Sequence, residues 1–254
     1  MKNNIIQFIK QAFTNSGLDQ ALVGVSGGID SGVVLSLLTN VLPIDNIHPI
    51  LMPYENQDMQ DAYLVCNALG FSSEMISVIN IEPIVRAVGE TLGENLSSLR
   101  TGNIMARSRM MVLFDQAKKH GALVVGTENK TENVLGYFTR FGDSASDLEP
   151  IANLYKTDVR QLARDLKLPE EIVNKPPSAG LWAGQTDETE FGFSYDQADE
   201  LLGQLENQAI NRGVKIIQIV KEELSKEIDD AVRKKILKRV NDNWFKQEVP
   251  YKIE

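Results

Sequence analysis

The sequence has few of the residues that cross-link small proteins or build metal centres. Its 254 residues include one cysteine, Cys66, and two histidines, His48 and His120. A single cysteine cannot form a disulfide within the chain, which is typical of a reducing compartment. Because the two histidines lie far apart in the sequence, no cluster of nitrogen and sulfur ligands for a metal is predicted. Cys66 lies in an apolar helical run, so we expect it to pack in the core.

Long apolar runs are missing as well. Gln7 and Lys10 interrupt the N-terminal apolar residues, so this stretch is not predicted to be a signal peptide. The richest apolar run, residues 33–44, contains Ser36 and Asn40 and is too short to span a bilayer. Glycine (18) and proline (9) are too few for a low-complexity chain. We therefore expect a globular, cytoplasmic protein that does not bind a membrane.

Positive charge is in the minority, with 26 lysine and arginine residues against 35 aspartate and glutamate residues and a net charge of −9. An acidic chain repels nucleic acid at long range, so we expect no nucleic-acid partner. A local basic pocket for a small phosphorylated ligand is still compatible with this charge. The length suits one large domain or two small ones, and no change of composition marks a boundary. We expect a single domain over residues 1–254.

Apolar strands alternate with helices along the first two thirds of the chain. Four apolar runs predict strands, at residues 22–25, 50–52, 76–81 and 122–126. Apolar residues at helical spacing predict helices between them, and a buried stripe marks a helical C-terminal region. This alternation predicts an α/β fold, a doubly wound parallel sheet with helices on both faces.

A glycine-rich turn follows the first predicted strand and opens a helix. Its glycines let the backbone turn tightly, and the N–H groups at the start of the helix suit phosphate. Its aspartate could hold Mg²⁺ against phosphate oxygens. The alternative is a capped strand-to-helix turn without a ligand. We interpret the turn as an ATP-phosphate loop formed by Gly24, Val25, Ser26, Gly27, Gly28, Ile29, Asp30 and Ser31.

The loop lacks the lysine that a Walker A loop places on the β- and γ-phosphates. It resembles the SGGxDS loop of the N-type ATP pyrophosphatases, which have an adenine-nucleotide α-hydrolase-like fold. The resemblance implies that pyrophosphate is held as a leaving group while a nucleophile attacks the α-phosphorus. Such enzymes adenylate an oxygen and then displace AMP with a nitrogen or sulfur nucleophile.

Later motifs narrow the resemblance to one family. They lie, in order, at residues 102–110 (GNIMARSRM), 126–132 (GTENKTE), 136–143 (GYFTRFGD), 147–150 (DLEP), 154–156 (LYK) and 187–192 (DETEFG). Together they are similar to the synthetase domain of the NAD synthetase family, over residues 24–250. The resemblance implies a ligase that uses ATP and Mg²⁺ to amidate deamido-NAD⁺ with ammonia through an NAD-adenylate, giving NAD⁺, AMP and pyrophosphate. It also implies a homodimer, and no glutaminase domain is predicted.

Two rival functions follow from the same loop. Another ATP pyrophosphatase could amidate or thiolate a base, but the net charge argues against tRNA and the later motifs argue against GMP synthesis. A non-catalytic nucleotide-binding regulator would need the loop but no second acidic ligand for Mg²⁺.

Arg107 shares a helical stripe with Ile104, Met111 and Phe114. A buried guanidinium without a partner is costly, so we interpret Arg107 as an anion-binding residue. The alternative is a side chain that extends past its apolar neighbours into solvent. The resemblance implies that Arg107 contacts deamido-NAD⁺, whereas Arg109 is equally compatible with the surface.

The resemblance assigns roles to further residues. Thr127 follows a strand at the ligand-binding edge of the sheet and is assigned to ATP. Glu132 is assigned to Mg²⁺ beside Asp30, and its alternative is an acidic residue that a helix dipole favours. Lys156 and Ser178 are assigned to ATP, and the alternative for Lys156 is a solvated side chain.

The remaining assignments concern residues that contact deamido-NAD⁺ and a residue that accepts a proton from ammonium. The family often ends in a His-Lys pair where this chain has Phe245 and Lys246, so the resemblance implies no more than packing for the phenylalanine. Asp143, in a Gly-Asp turn, is a candidate to accept a proton from ammonium. By resemblance, the residues on deamido-NAD⁺ are Arg107, Arg140, Asp147, Phe245 and Lys246.

Overall fold

A parallel sheet forms the centre of the molecule. The computed structural model describes residues 1–178, 180, 184 and 186–247. Within them the sheet has the strand order β3-β2-β1-β4. All the pairs are parallel, and Leu22 lies opposite His48 of one neighbouring strand and Val124 of the other. The strands are β1 (Gln20–Gly24), β2 (Ile47–Leu51), β3 (Ser77–Val78) and β4 (Ala122–Val124).

Helices connect and cover the strands. Those of the first half are α1 (Lys2–Ser16), α2 (Ile29–Thr39), α3 (Gln60–Ala68), α4 (Glu82–Leu92) and α5 (Ser98–His120). Those of the second half are α6 (Lys130–Leu135), α7 (Lys156–Asp165), α8 (Glu170–Val173), α9 (Asp187–Phe191), α10 (Tyr195–Arg212), α11 (Ile216–Leu224) and α12 (Ala231–Asn243). No helix within these described ranges is long and apolar enough to cross a membrane.

Each face of the sheet has its own hydrophobic core. Ala21 and Val23 of β1 pack on one face with α1, α2, α3 and α7. Leu22 packs on the other face with residues of α4 and α5. Because both faces are covered, residues 21–23 of β1 and all of β4 are continuous apolar runs, as buried parallel strands usually are. The predicted doubly wound α/β fold is confirmed.

A third core lies among the C-terminal helices. It joins α6, α9, α10, α11 and α12 around the fully buried residues Tyr195, Leu202, Leu237 and Val240. This core confirms the predicted buried stripe. α10 packs against α7 and α12 packs against α6, so the C-terminal helices are attached to the segments that follow β4.

The histidines and the cysteine occupy positions that the fold makes clear. His48 and His120, far apart in the sequence, stack with ring centroids 4.2 Å apart at the edge of the sheet where the strands begin. No group of three or more metal-ligating side chains occurs in the described part of the chain. Cys66 is buried as expected, and burial raises the pKa of its thiol to about 12.

Candidate active site

The phosphate loop leaves β1 at Gly24 and enters α2 at Ile29. Gly27 has φ +79°, and a Cβ atom on it would lie 2.7 Å from the backbone nitrogen of Ala62. Only glycine has both the conformational freedom and the small size that this position requires. The tight turn directs the N-terminus of α2 toward the edge of the sheet where the strands end.

Two serines brace the loop. The Ser31 hydroxyl donates to the carbonyl oxygen of Gly28 at 3.0 Å and lies 3.2 Å from the Ser26 hydroxyl. The Gly28 N–H in turn donates to the Ser26 hydroxyl at 3.2 Å. These contacts hold the loop open at the start of α2, where unpaired N–H groups favour an anion.

β1 and β4 are neighbours in the sheet, and the chain leaves β4 on the far side from β2. Ligands of open α/β sheets bind in the crevice at such a point. The segment after β4 contains Asn129, whose side chain caps α6 and donates through Nδ2 to Asp30 Oδ1 at 2.9 Å. Asn129 thereby links the phosphate loop to the helix that carries Glu132. Asp30 and Glu132, predicted from the family resemblance to act together, lie at one place.

Lys156 lies between the two carboxylates. Its Nζ is 2.6 Å from Asp30 Oδ2 and 3.0 Å from Glu132 Oε1, and its side chain is only 2% exposed. Burial disfavours the charged lysine, but the carboxylates outweigh this effect and raise the pKa of Lys156. Burial also raises the pKa of Glu132, while Lys156 opposes that shift. The solvated alternative for Lys156 is wrong, since three segments enclose it.

These donors fit Mg²⁺. Two carboxylates converge beside a phosphate loop, and oxygen ligands are those that Mg²⁺ prefers. Mg²⁺ commonly binds through one or two carboxylates together with substrate phosphates and water. A protein site of this size therefore needs no third acidic side chain.

A second acidic group lies beside Thr127. The carboxylate of Glu149 lies so close to Gly126 that a Cβ there would be 1.8 Å from its Oε1. Glu149 Oε2 accepts a hydrogen bond from the Glu128 N–H at 3.1 Å. Burial, with the nearby charges of Asp143 and Glu149, raises the pKa of Glu128 to about 9. Neither Glu128 nor Glu149 was predicted as a site residue, although both lie inside the motifs that carry the family resemblance.

Asp143 is at the solvent-facing side of this acidic group. Its Oδ1 accepts a hydrogen bond from the Thr139 N–H at 2.8 Å. The Asp143 side chain is exposed to solvent, yet desolvation by the surrounding protein raises its pKa against the opposing effect of that hydrogen bond. A carboxylate with a raised pKa suits a proton acceptor.

The two arginines of α5 differ in burial. Arg107 is exposed, and it makes no hydrogen bond or ion pair with any other described residue. Its assignment to deamido-NAD⁺ stays a prediction. Arg109 is partly buried instead, with Nε 3.1 Å from the carbonyl oxygen of Met52 and a terminal nitrogen 3.1 Å from Gln57 Oε1. Burial lowers the pKa of Arg109 to about 10.

The C-terminal pair lies beside Arg140. The Arg140 guanidinium carbon is 5.3 Å from the centre of the Phe245 ring. Lys246 Nζ donates to the carbonyl oxygens of Gly136 and Phe138 at 2.7 and 3.0 Å. The structure therefore brings together three of the residues predicted to contact deamido-NAD⁺.

The other predicted residues are more dispersed. Asp147 Oδ2 accepts a hydrogen bond from the Val124 N–H at 2.7 Å, so it extends the edge of β4. Ser178 is exposed, and its hydroxyl accepts from the Gly180 N–H at 3.1 Å. Thr127 is partly buried directly after Gly126. Among the described contacts, none joins Ser178 or Thr127 to Lys156.

The fold and the site define a class of protein. A parallel sheet with a glycine-rich, lysine-free loop at the point where the strand order reverses is a nucleotide-binding α/β architecture. The buried lysine and the paired carboxylates add the charges that a triphosphate with its metal ion needs.

Comparison with known proteins identifies the family. The family model for NAD synthase matches residues 1–250. The chain is 43% identical to the NH(3)-dependent NAD(+) synthetase of Pyrococcus horikoshii, over 89% of this chain and 84% of that protein. It is 40% identical to the enzyme of the same name from Fusobacterium nucleatum, over 98% and 93% of the two chains. The chain belongs to the NAD synthase family, and the family predicted from its motifs is confirmed.

Solved structures agree with this membership. The NMN synthetase of Francisella tularensis superposes with a TM-score of 0.83 at 30% identity, covering 99% of this chain and 96% of that one. The NH3-dependent NAD synthetase of Campylobacter jejuni superposes with a TM-score of 0.78 at 29% identity, covering 100% and 97%.

Proposed function

We propose that the protein joins ammonia to the nicotinate carboxylate of deamido-NAD⁺, with cleavage of ATP to AMP and pyrophosphate. The observation that carries this function is the convergence of Asp30, Glu132 and Lys156 on a phosphate loop that has no lysine of its own. Membership of the NAD synthase family supports the identity of the product. A cytoplasmic location is consistent with a reaction that consumes ATP.

The residues around the loop suit attack on the α-phosphorus. The N–H groups of Gly27 and the first turn of α2 would hold the β- and γ-phosphates as a leaving group. Lys156 would turn from its carboxylates toward the phosphate oxygens and stabilise the charge that develops on them. Asp30 and Glu132 would hold Mg²⁺, which when bound supplies further neutralisation of phosphate charge.

Adenylation is needed because a bare carboxylate would have to expel oxide to react with ammonia. The nicotinate carboxylate attacks the α-phosphorus, pyrophosphate leaves, and the acyl-adenylate then offers AMP as a good leaving group. Ammonia attacks the acyl carbon, and the C–O bond to AMP breaks. The acyl substrate would contact Arg107, Arg140, Asp147 and Lys246, with Phe245 packing beside Arg140, while Thr127 and Ser178 would contact ATP.

Ammonium must lose a proton before the resulting ammonia can attack the acyl carbon. Asp143 is the proposed acceptor of that proton, because its carboxyl group is exposed to solvent and has a raised pKa. The neighbouring Glu149 has a pKa raised by burial to about 7, and in its ionised form it adds negative potential, which attracts the ammonium cation.

A second candidate product is NMN. The structural likeness to the NMN synthetase of Francisella tularensis is as extensive as the likeness to the NAD synthetase of Campylobacter jejuni. The two reactions share the chemistry at the nicotinate carboxylate and differ in the size of the nucleotide. The higher identity to curated NAD synthetases favours deamido-NAD⁺.

The test is a substrate screen with the purified protein, ATP and Mg²⁺. Each assay contains ammonium chloride or ammonia-free glutamine, with deamido-NAD⁺ or nicotinate mononucleotide as the acid. We expect NAD⁺ from deamido-NAD⁺ and ammonium, detected by mass spectrometry, and no product from glutamine. Faster turnover of the mononucleotide would establish NMN as the product, and efficient use of glutamine would contradict the ammonia dependence.

We also propose a homodimer. The family resemblance supports it, and α5 presents Leu99, Met111 and Phe114 with exposures of 63%, 49% and 36%. Apolar side chains along one helix are typical of an interaction surface. Sedimentation equilibrium should give twice the mass of the chain, and a monomer at all concentrations would contradict the proposal.

A further inference from the structure

Tyr195 contacts two members of the phosphate site from behind. It is the first residue of α10 and is fully buried in the C-terminal core. Its ring centre lies 5.1 Å from Lys156 Nζ, and its hydroxyl lies 3.5 Å from Glu132 Oε1. Lys156 and Glu132 are thus in contact with one side chain that does not line the phosphate loop itself.

Asp187 orients the tyrosine. The Tyr195 hydroxyl donates to Asp187 Oδ2 at 2.8 Å, and the Tyr137 hydroxyl donates to Asp187 Oδ1 at 3.0 Å. Asp187 is itself buried, and its backbone N–H donates to the carbonyl oxygen of Pro177 at 3.0 Å. A buried carboxylate with two phenol donors fixes the direction of both rings.

We propose that Tyr195 is a positioning residue for the phosphate site and that Asp187 acts through it. The aromatic face holds the Lys156 ammonium where it can reach both the carboxylates and a phosphate, since a desolvated cation is attracted to an aromatic ring. The single hydroxyl proton is shared between Asp187 Oδ2 at 2.8 Å and Glu132 Oε1 at 3.5 Å, and this weaker second contact keeps the Glu132 carboxylate turned toward Asp30. Without the hydroxyl, Glu132 can rotate away when Lys156 leaves it for a phosphate.

The test compares the buried Tyr195 with the partly buried Tyr155. Tyr195→Phe keeps the ring and removes the hydroxyl. Tyr155→Phe makes the same change at a hydroxyl that donates to Glu206 Oε2 at 2.9 Å, away from Glu132. The probe is Mn²⁺ binding, followed by electron paramagnetic resonance with an ATP analogue whose α,β-bridge cannot be cleaved. We expect Tyr195→Phe to weaken Mn²⁺ binding by about tenfold, the effect typical of groups that orient a metal ligand. We expect Tyr155→Phe to leave it unchanged.

A double variant tests the role of Asp187. Asp187→Asn should weaken Mn²⁺ binding, and adding Tyr195→Phe should weaken it little further, because both changes act on one contact. Additive losses would contradict the role of Asp187. Equal Mn²⁺ affinity in Tyr195→Phe and Tyr155→Phe, with similar losses of thermal stability, would show that Tyr195 is only structural. The inference rests on the proposed ATP site. Because Mn²⁺ binding is measured without deamido-NAD⁺, a wrong role for Tyr195 can be distinguished from a failure of the protein to make NAD⁺.

Discussion

Three charged side chains, Asp30, Glu132 and Lys156, lie together at the phosphate loop. The family motifs predicted each of them as a site residue, but the sequence did not predict the ion pairs of Lys156 with both carboxylates. An aspartate or a glutamate at the start of a helix is by itself a common surface residue. Only the pairing of β1 with β4 brings Asp30 and Glu132 together. Lys156 could not be recognised as buried from the sequence, since its enclosure depends on α10 and its Tyr195.

The first prediction concerns the two carboxylates. Asp30→Asn and Glu132→Gln each remove a negative charge at nearly constant volume, so we expect folded proteins with activities reduced about tenfold to hundredfold. Because both carboxylates face the same Lys156 and the same proposed ion, the double variant should lose less than the product of the single losses. The measurement is initial rate against Mg²⁺ concentration. Near wild-type rates in both single variants at all concentrations would contradict the shared site.

The second prediction concerns Glu128. Its pKa is raised to about 9 from an ordinary value near 4.5, so the folded protein binds a proton that the unfolded chain releases. The free energy of unfolding should therefore fall as the pH rises from about 5 to 9. Glu128→Gln removes this dependence and should stabilise the protein at pH 8.5, by on the order of 2 kcal/mol, with little effect at pH 5. Urea unfolding at both pH values measures the difference.

A matched control is Glu200→Gln on the exposed side of α10. It makes the same chemical change outside the acidic group, and we expect no comparable change in the pH dependence. If Glu128→Gln is no more stable than wild type at pH 8.5, the carboxyl group of Glu128 is ionised in the folded protein.

Among the elements, each described strand overlaps a predicted apolar run, but β2 begins three residues before its run and β3 is much shorter than its run. The apolar run near residue 22 marks β1 because a strand buried on both faces must be apolar throughout. α2 starts at Ile29, inside the loop predicted over residues 24–31, because the last residues of that loop already form the first turn of the helix. For α5, helical spacing alone did not show which side faces the sheet, so the different burial of Arg107 and Arg109 was not predicted.

The third prediction belongs to the turn between β1 and α2. Gly27→Ala places a methyl group 2.7 Å from a backbone atom of Ala62 in a conformation that alanine disfavours. We expect a loss of about 1–3 kcal/mol in the free energy of unfolding together with loss of ATP binding. Isothermal titration calorimetry with ATP and chemical denaturation measure the two effects.

Gly203 in α10 provides the control. A Cβ atom on Gly203 meets nothing within 4 Å, so Gly203→Ala should leave ATP binding intact. It should also raise stability by up to about 1 kcal/mol, because alanine is the better helix former. Equal ATP affinity in the two variants would show that the backbone at Gly27 does not shape the nucleotide site.

For the whole molecule, the parallel sheet and the family were predicted from strand alternation and motif order, and both are confirmed. The separate C-terminal core was predicted only as a buried stripe. Its docking on α6 and α7, which encloses Lys156, depends on contacts between residues distant in the sequence. The stacking of His48 on His120 was not predicted either, because the two residues are distant in the sequence.

The fourth prediction is the bond that breaks in the complete reaction. Because the loop at residues 24–31 lacks a Walker lysine, the products should be AMP and pyrophosphate in equal amounts, with no ADP. A non-cleavable bridge between the α- and β-phosphates should block turnover, and one between β and γ should be tolerated. Carboxylate oxygen labelled with ¹⁸O should appear in AMP. Label in inorganic phosphate, with ADP as co-product, would indicate an acyl phosphate instead.

The ion pair between Asp30 and Lys156 closes a loop of 126 residues in the chain. Contacts between such distant residues carry a large closure entropy and tend to form late in folding. The sheet must be paired through β4 and the C-terminal helices docked before these charges can meet. A partly folded chain therefore has the glycine-rich loop but not yet Lys156 beside it. We expect enzymatic activity to appear only when folding is complete, so that activity indicates a fully folded chain.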